Sequence, residues 1–252
     1  MSETPPDMVG KALLLLTLLG EHPEGATLSE LARQADFPVS TTHRLAAALV
    51  RDGYAVVDDS RRYNLGLRVF SLASRIAHAR GFAGSALPVL RGLAAQTTES
   101  ALMSVLSGRH QLYIHHVEGT HTVSVVGEPG RHGPLHCTSM GKVLIAFAPD
   151  PVRHALLDTL DLPPLGPNTI TNRSRFHAEI QAVRDRGYAV ADEEHEAGIR
   201  AIGVPVTSEG GSVLAAISVA APAYRVSLDQ LTEYLPDLTR AAEQLRVLLP
   251  AR

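Results

Sequence analysis

Three groups of side chains in this 252-residue chain are of types and spacings that support chemistry. The first is His136-Cys-Thr-Ser-Met-Gly-Lys142, which leads into an apolar helical pattern. Unpaired amides at a helix start attract an anion such as a carboxylate, and Thr138 and Ser139 would add hydroxyls. By itself the pattern is weak, because most Ser and Thr at such positions only cap the helix. The second group is six of the 12 histidines (His110, His115, His116, His121, His132 and His136), which fall within 27 residues beside the one cysteine, Cys137. A metal site needs several of them at one point. On a strand His115 and His116 face opposite sides, and Gly133-Pro134 interrupts the run, so scattered surface histidines are the default. The third group is Ser40, Thr41, Arg44 and Arg51 with Arg61 and Arg62 further on, hydroxyls and guanidiniums of the kind that reach base edges and phosphates.

The elements that position this third group read as a winged helix-turn-helix. Val9–Leu19 is uniformly apolar and predicts a helix packed on most sides. Thr27-Leu-Ser-Glu30 is a capping-box pattern opening a helix that runs to about Asp36. Phe37-Pro38 breaks the chain, and a third helix follows from about Val39 until Gly53 stops it. At about 100° per residue, Thr42, Leu45, Ala46 and Leu49 share one side of that helix, and Ser40, Arg44, Ala47 and Arg51 the other. Residues 54–65 predict two short strands around a polar turn with Arg61 and Arg62 at its tip. Ser40, Thr41, Thr42, Arg44, Arg51, Arg61 and Arg62 are the candidate DNA-contacting residues. A solvated charged face on a small helical domain is the competing reading. Residues 31–80 carry eight arginines against four acids in a chain of net charge −3, a modest surplus that fits a polyanion partner at one end or an ordinary surface.

Gly66–Arg80 has the apolar stripe of an amphipathic helix, suited to joining domains or pairing with another subunit, and Gly81 and Gly84 mark a boundary after it. Beyond it, helices at Ala86–Gln96, Ser139–Phe147, Pro151–Leu160 and Ser174–Arg186 alternate with strands at Ala101–Leu106, Gln111–Val117, Val123–Val126, Tyr188–Asp192, Ala201–Thr207 and Ser212–Ala220. A closing helix spans Ser227–Leu249. This is an α+β domain with a largely antiparallel sheet. In its last hairpin one face carries Ile202, Val204, Val206, Val213, Ala215, Ile217 and Val219. The other carries Ala201, Gly203, Pro205, Leu214, Ala216, Ser218 and Ala220. A face of small residues leaves space for a ligand or lets a helix lie close.

Composition excludes several classes. With 45% hydrophobic and 19% charged residues the chain buries a core, and its length favours two domains at roughly 100–200 residues each. Tryptophan is absent and aromatics are 4%, against a stacking surface for single strands. One cysteine precludes an internal disulfide framework. The start lacks a signal-peptide pattern and Ala12–Leu19 is short of the ~20 residues of a membrane span, so a soluble cytoplasmic protein with no membrane partner is expected. No GxSxG, GxGxxG or Walker pattern occurs, and Asp192-Glu-Glu-His-Glu196 reads as a solvated acidic loop ahead of an acid/base pair. The expectation is therefore no enzyme and no cofactor. A metal-dependent enzyme or metalloregulator built on segment 110–136 is the alternative.

Ordered stretches across both parts resemble the IclR family of bacterial transcription regulators. They are Thr27-Leu-Ser-Glu-Leu-Ala-Arg33, Val39-Ser-Thr-Thr-His-Arg-Leu45, Arg62-Tyr-Asn-Leu-Gly66, Pro134–Leu144, Arg186-Gly-Tyr-Ala-Val190, Asp192–Arg200 and Ala215-Ala-Ile-Ser-Val219. The resemblance implies a winged helix-turn-helix DNA-binding domain (1–65), a linker helix (66–81) and a GAF-like effector-binding and oligomerisation domain (82–252). It implies homodimers or homotetramers on double-stranded operator DNA, with a repressor of a catabolic operon as the expectation. It places the effector site at Cys137, Thr138, Ser139, Met140, Gly141, Asp192, Ala201, Ser218 and Ala220. Members that bind small oxoacids carry an acid, a cysteine and a Ser-x-Ser where this chain has Ala191, Ala201, Ser218 and Ala220. Met140 also replaces a small residue. A more apolar pocket is implied, and Cys137–Gly141 with Arg225-Val-Ser227 looks like the aromatic-acid-sensing branch.

Overall fold

Thr27 and Glu30 close the capping box that their spacing predicts. Thr27 Oγ1 accepts from the Glu30 amide at 3.3 Å, and the Glu30 carboxylate accepts from the Thr27 amide at 2.7 Å. The computed structural model describes residues 7–79 and 82–249. The amino-terminal reading at residues 1–6, Arg80 and the boundary glycine Gly81 lie outside them. The chain divides into two units, Met1–Ala77 and His78–Arg252.

The first unit comprises α1 (Met8–Gly20), α2 (Leu28–Ala35), α3 (Val39–Arg51), a hairpin of β1 (Ala55–Val57) and β2 (Tyr63–Leu65), and the start of α4 (Leu67–Ala79). Asp36, left-handed at φ 54°, ends α2, and Pro38 immediately precedes α3. Leu15, Leu19, Leu31, Leu45 and Ala55 form the core, each leucine contributing about 1.5–3 kcal/mol of burial. The expectation that α1 packs on most sides is corrected: only Leu15 and Leu19 are buried, while Val9 and Leu13 are exposed. A single layer of two helices and a hairpin covers only one side of a helix.

The second unit opens with a π-helical turn, Phe82–Ala86, running into α5 (Leu87–Thr97). Next come β3 (Ser100–Ser107), β4 (His110–Val117), β5 (His132–Gly133), α6 (Ser139–Ala146), α7 (Asp150–Thr159) and α8 (Arg173–Arg186). Then β6 (Ala189–Asp192), β7 (Ile199–Thr207), β8 (Val213–Pro222), α9 (Leu228–Glu233) and α10 (Leu235–Leu248) complete it. The six strands form one antiparallel sheet in the order β5-β4-β3-β8-β7-β6. Helices α5 and α10 pack on this sheet, and α6 packs on β7 and β8. The small face of the last hairpin belongs to the α6 side, where Ala216 and Ala220 join Val143, Leu144, Phe176 and Ile180 in one core.

Three readings of this unit are corrected. Residues 123–126 form no strand; the edge of β4 pairs instead with His132 and Gly133. The closing helix is broken at Tyr234, which ends α9, because Pro236 lies in the first turn of α10, where its missing N–H costs nothing. A bulge between Val206 and Thr207 shifts the register, so Val213 packs with the α6-side core and not with Ala215.

Candidate functional sites

The polar side of α3 is open to solvent. Ser40, Arg44 and Arg51 are exposed and Thr41 is half-buried, as the helical angles require. Arg44 Nη2 approaches Met8 Sδ at 3.8 Å, and Arg51 pairs with Asp52 at 3.0 Å on the surface. Thr42 is a correction: it is buried, and its hydroxyl donates to the Pro38 carbonyl at 3.1 Å, so it packs the helix and presents nothing outward. The two wing arginines separate in role. Arg62 donates to the carbonyls of Glu24 and Gly25 and lies 3.6 Å from Glu30, fastening the wing to the α1–α2 loop. Arg61 stands exposed at the tip with φ 59°; its amide donates to the Asp58 carbonyl at 3.0 Å, and its guanidinium has no partner among the described residues.

In the second unit the start of α6 meets the small face of the sheet. Gly203 makes this approach possible, since a Cβ there would lie 3.2 Å from Ser139 Oγ and 3.3 Å from the Met140 amide. Both sequence readings of the small face therefore hold: a helix lies on it, and a cavity of about 110 Å3 opens at the helix start. That volume is on the scale of the ~150 Å3 cavity known to accept benzene. Leu102, Val125, Val126, Met140 and Ile199 give it apolar walls. Cys137, Thr138, Ser139, Met140, Ala201, Ser218 and Ala220 are brought together there.

Two predicted members are not. Gly141 lies beneath the wall, where a Cβ would meet the Leu135 carbonyl at 2.3 Å. Asp192 is taken by Arg200 at 2.5 Å.

The polar groups facing the cavity are partly unspent. Thr138 Oγ1 caps the Gly141 amide, receives Gln111 Nε2 at 2.9 Å and donates to the Pro134 carbonyl. The amides of Ser139 and Met140, first in the helix, have no acceptor among the described residues. Ser139 (2% exposed) and Ser218 (1% exposed) have hydroxyls with no partner among the described residues. The two amides and the Ser139 hydroxyl at the helix start, with the Ser218 hydroxyl from β8, make a site for an anionic oxygen beside the apolar walls. Cys137 stays a thiol, since burial, aided by the nearby Glu194 charge, pushes it up to about 12.

Sequence reasoning missed Tyr113, Val125, Val126, His195 and Glu196, which also border the cavity. Tyr113 projects from β4, whose alternation held the signal. Val125 and Val126 arrive on an irregular segment fastened by Ser100 Oγ and His116 Nε2 at the Val125 carbonyl, 2.7 and 3.0 Å away. Arg225 holds the same segment through the Val123 carbonyl at 3.0 Å.

The histidines of segment 110–136 do not converge on one point: the His110 and His132 rings lie against each other with centroids 5.6 Å apart, away from the others. His116 faces Val125, His121 lies beside Thr98, and His136 binds the Pro163 carbonyl. Among the described residues no group of three or more His, Cys, Asp or Glu is placed to hold a metal ion. No described helix is long and apolar enough to cross a membrane.

The family described as bacterial transcriptional regulator IclR C-terminal matches residues 75–247, and the IclR helix-turn-helix domain matches residues 8–59. The Pca regulon regulatory protein of Pseudomonas putida is 31% identical over 94% of this chain and 82% of its own length. The regulator KdgR of Escherichia coli K12 is 30% identical over 95% of this chain and 92% of its own. Among solved structures, an IclR homolog of Microbacterium hydrocarbonoxydans complexed with 4-hydroxybenzoate is 25% identical, with a TM-score of 0.82 over 96% of this chain and 98% of that one.

Proposed function

The chain belongs to the IclR family of bacterial transcriptional regulators, and from that premise we propose that it is an effector-controlled repressor of a catabolic operon whose ligand is a small, partly apolar carboxylate such as an aromatic acid. DNA binding comes with the family. In this reading Ser40, Thr41 and Arg44 meet base edges and phosphates in a major groove, Arg51 reaches the backbone, and Arg61 touches it from the wing. Thr42 has no part in it and Arg62 only shapes the wing. Helix α4 acts as the linker between the two units. Paired readers are supplied by a homodimer or homotetramer, which the exposed apolar side chains of α1 (Val9, Leu13) and α4 (Leu67, Phe70) support.

The observation that carries the ligand class is the set of unpartnered groups at the α6 start, the Ser139 and Met140 amides with the Ser139 and Ser218 hydroxyls, inside walls of Leu, Val, Ile and Met. A carboxylate satisfies the former, and a ring or short chain fills the latter. The relative crystallised with 4-hydroxybenzoate supports the same class. Effector binding at α6 then shifts the population of assemblies whose readers match the operator spacing.

Calorimetry on the full chain with a panel of aromatic acids and with glyoxylate tests the ligand class. The expected result is micromolar binding of at least one aromatic acid and weak binding of glyoxylate. Tight glyoxylate binding overturns it.

A further inference from the structure

Tyr113 brings a hydroxyl to the same cavity by a route the α6 start does not use. Its hydroxyl accepts a hydrogen bond from Gln111 Nε2 at 3.1 Å. The same nitrogen donates to Thr138 Oγ1 at 2.9 Å, and Gln111 Oε1 accepts from Ser104 Oγ at 3.1 Å. Gln111, fully buried, is thus fixed with its amide pointing both donors at the cavity wall. A phenol that has accepted such a bond keeps its own proton to give. No group among the described residues takes that proton. Burial raises the Tyr113 hydroxyl above its ordinary range, so it remains a donor at neutral pH.

We infer that Tyr113 is a specificity-determining residue of the effector pocket, donating to a second oxygen of the ligand and so selecting carboxylates that carry a further hydrogen-bond acceptor over plain apolar acids. The inference rests on the pocket reading above and deepens it. Two sets of groups are waiting in one small chamber: the amides and hydroxyls of Ser139, Met140 and Ser218, and the phenol of Tyr113. An unsubstituted acid satisfies the first and leaves the phenol of half-buried Tyr113 without an acceptor beside the ligand's ring, which costs affinity. An acid bearing a hydroxyl or carbonyl oxygen satisfies both.

The test is calorimetry of benzoate and of 2-, 3- and 4-hydroxybenzoate on the wild-type chain and on Tyr113→Phe. One hydroxybenzoate is expected to bind wild type about tenfold more tightly than benzoate, the worth of one buried hydrogen bond. In Tyr113→Phe that ratio is expected to fall to near one. In parallel, the tyrosine C–O vibrational band of the wild-type chain should shift on saturation with the preferred isomer and stay put with benzoate, a readout independent of the variant's folding. A ratio that survives in Tyr113→Phe, or a wild type without preference among the four acids, overturns the role of Tyr113 and leaves the carboxylate pocket standing. If none of the four acids binds while glyoxylate does, the pocket reading itself has failed and this inference goes with it.

Discussion

Lys142 Nζ lies 2.7 Å from Glu194 Oε1, with the lysine 1% and the glutamate 8% exposed. Lys142 also donates to the Val190 carbonyl at 2.6 Å and reaches Glu179 at 3.2 Å, so all three ammonium donors are used. Glu194 is less well served: its Oε2 has no partner among the described residues, and burial raises its carboxyl more than Lys142 lowers it. The pair pins α6 to the segment that carries His195 and Glu196 into the cavity wall.

Removing one member of such a pair strands the other. Lys142→Met is expected to cost about 3–5 kcal/mol in chemical denaturation. Adding Glu194→Leu to it should recover most of that loss, because the stranded carboxylate is then gone and Glu179 keeps Arg186 at 3.0 Å. A double variant as unstable as the single one contradicts this account of the pair.

Arg225 and Glu99 form a second fixed relationship, with two bonds of 2.7 Å on a carboxylate only 2% exposed. Arg225→Ala is expected to destabilise the second unit by about 3 kcal/mol through the stranded Glu99. It also frees the Val123 carbonyl, so protease cleavage within 120–127 should accelerate. Unchanged proteolysis there would show that Ser100 and His116 hold the segment without Arg225.

His136 gives a pH signature. Burial lowers its pKa from the ordinary 6.5, outweighing the bond to the Pro163 carbonyl, which raises it. The stability gained by keeping the ring neutral is complete above 6.5 and is lost as pH falls through the lower folded value. Denaturation midpoints of the wild type should therefore drop on acidification below pH 6.5, and His136→Gln should flatten that part of the curve. Parallel curves for the two proteins would place the acid sensitivity elsewhere.

The cavity itself is tested by size and by polarity. Gly203→Val places methyls against Ser139 Oγ and the Met140 amide, displacing the α6 start. It is expected to abolish ligand binding at a stability cost of about 1–3 kcal/mol. Ser218→Ala removes one donor and should weaken the preferred acid about tenfold by calorimetry. Undiminished affinity in both variants contradicts a ligand seated between α6 and β8.

What the sequence makes legible follows local rules. The Thr27–Glu30 box, the polar side of α3 and the small face of β7 and β8 are set by residues three, four or two positions apart, and all three stand in the structure. Relations set by tertiary partners were not legible. Val125 and Val126 alternate poorly and are placed by side-chain bonds to a carbonyl, so a strand there was the wrong inference. Arg62 read as a backbone contact because its partners, Glu24 and Gly25, lie 38 and 37 residues away. Lys142 sits in an apolar helix, and its partners Glu179, Val190 and Glu194 lie 37, 48 and 52 residues away. Asp192 looked available until Arg200, eight residues on, folded back across β6 and β7.

The central claim is that α3 presents a cationic ridge to a duplex, and the salt dependence of DNA binding tests it most directly. A duplex recovered by selection from a random-sequence pool is titrated with the wild-type chain and with Arg44→Ala at several ionic strengths. The account predicts that wild-type log K falls linearly with log salt at about −0.9 per phosphate neutralised, and that Arg44→Ala loses retention while melting as the wild type does. Binding indifferent to salt, or an Arg44→Ala chain that holds the duplex as well as the wild type, would contradict it.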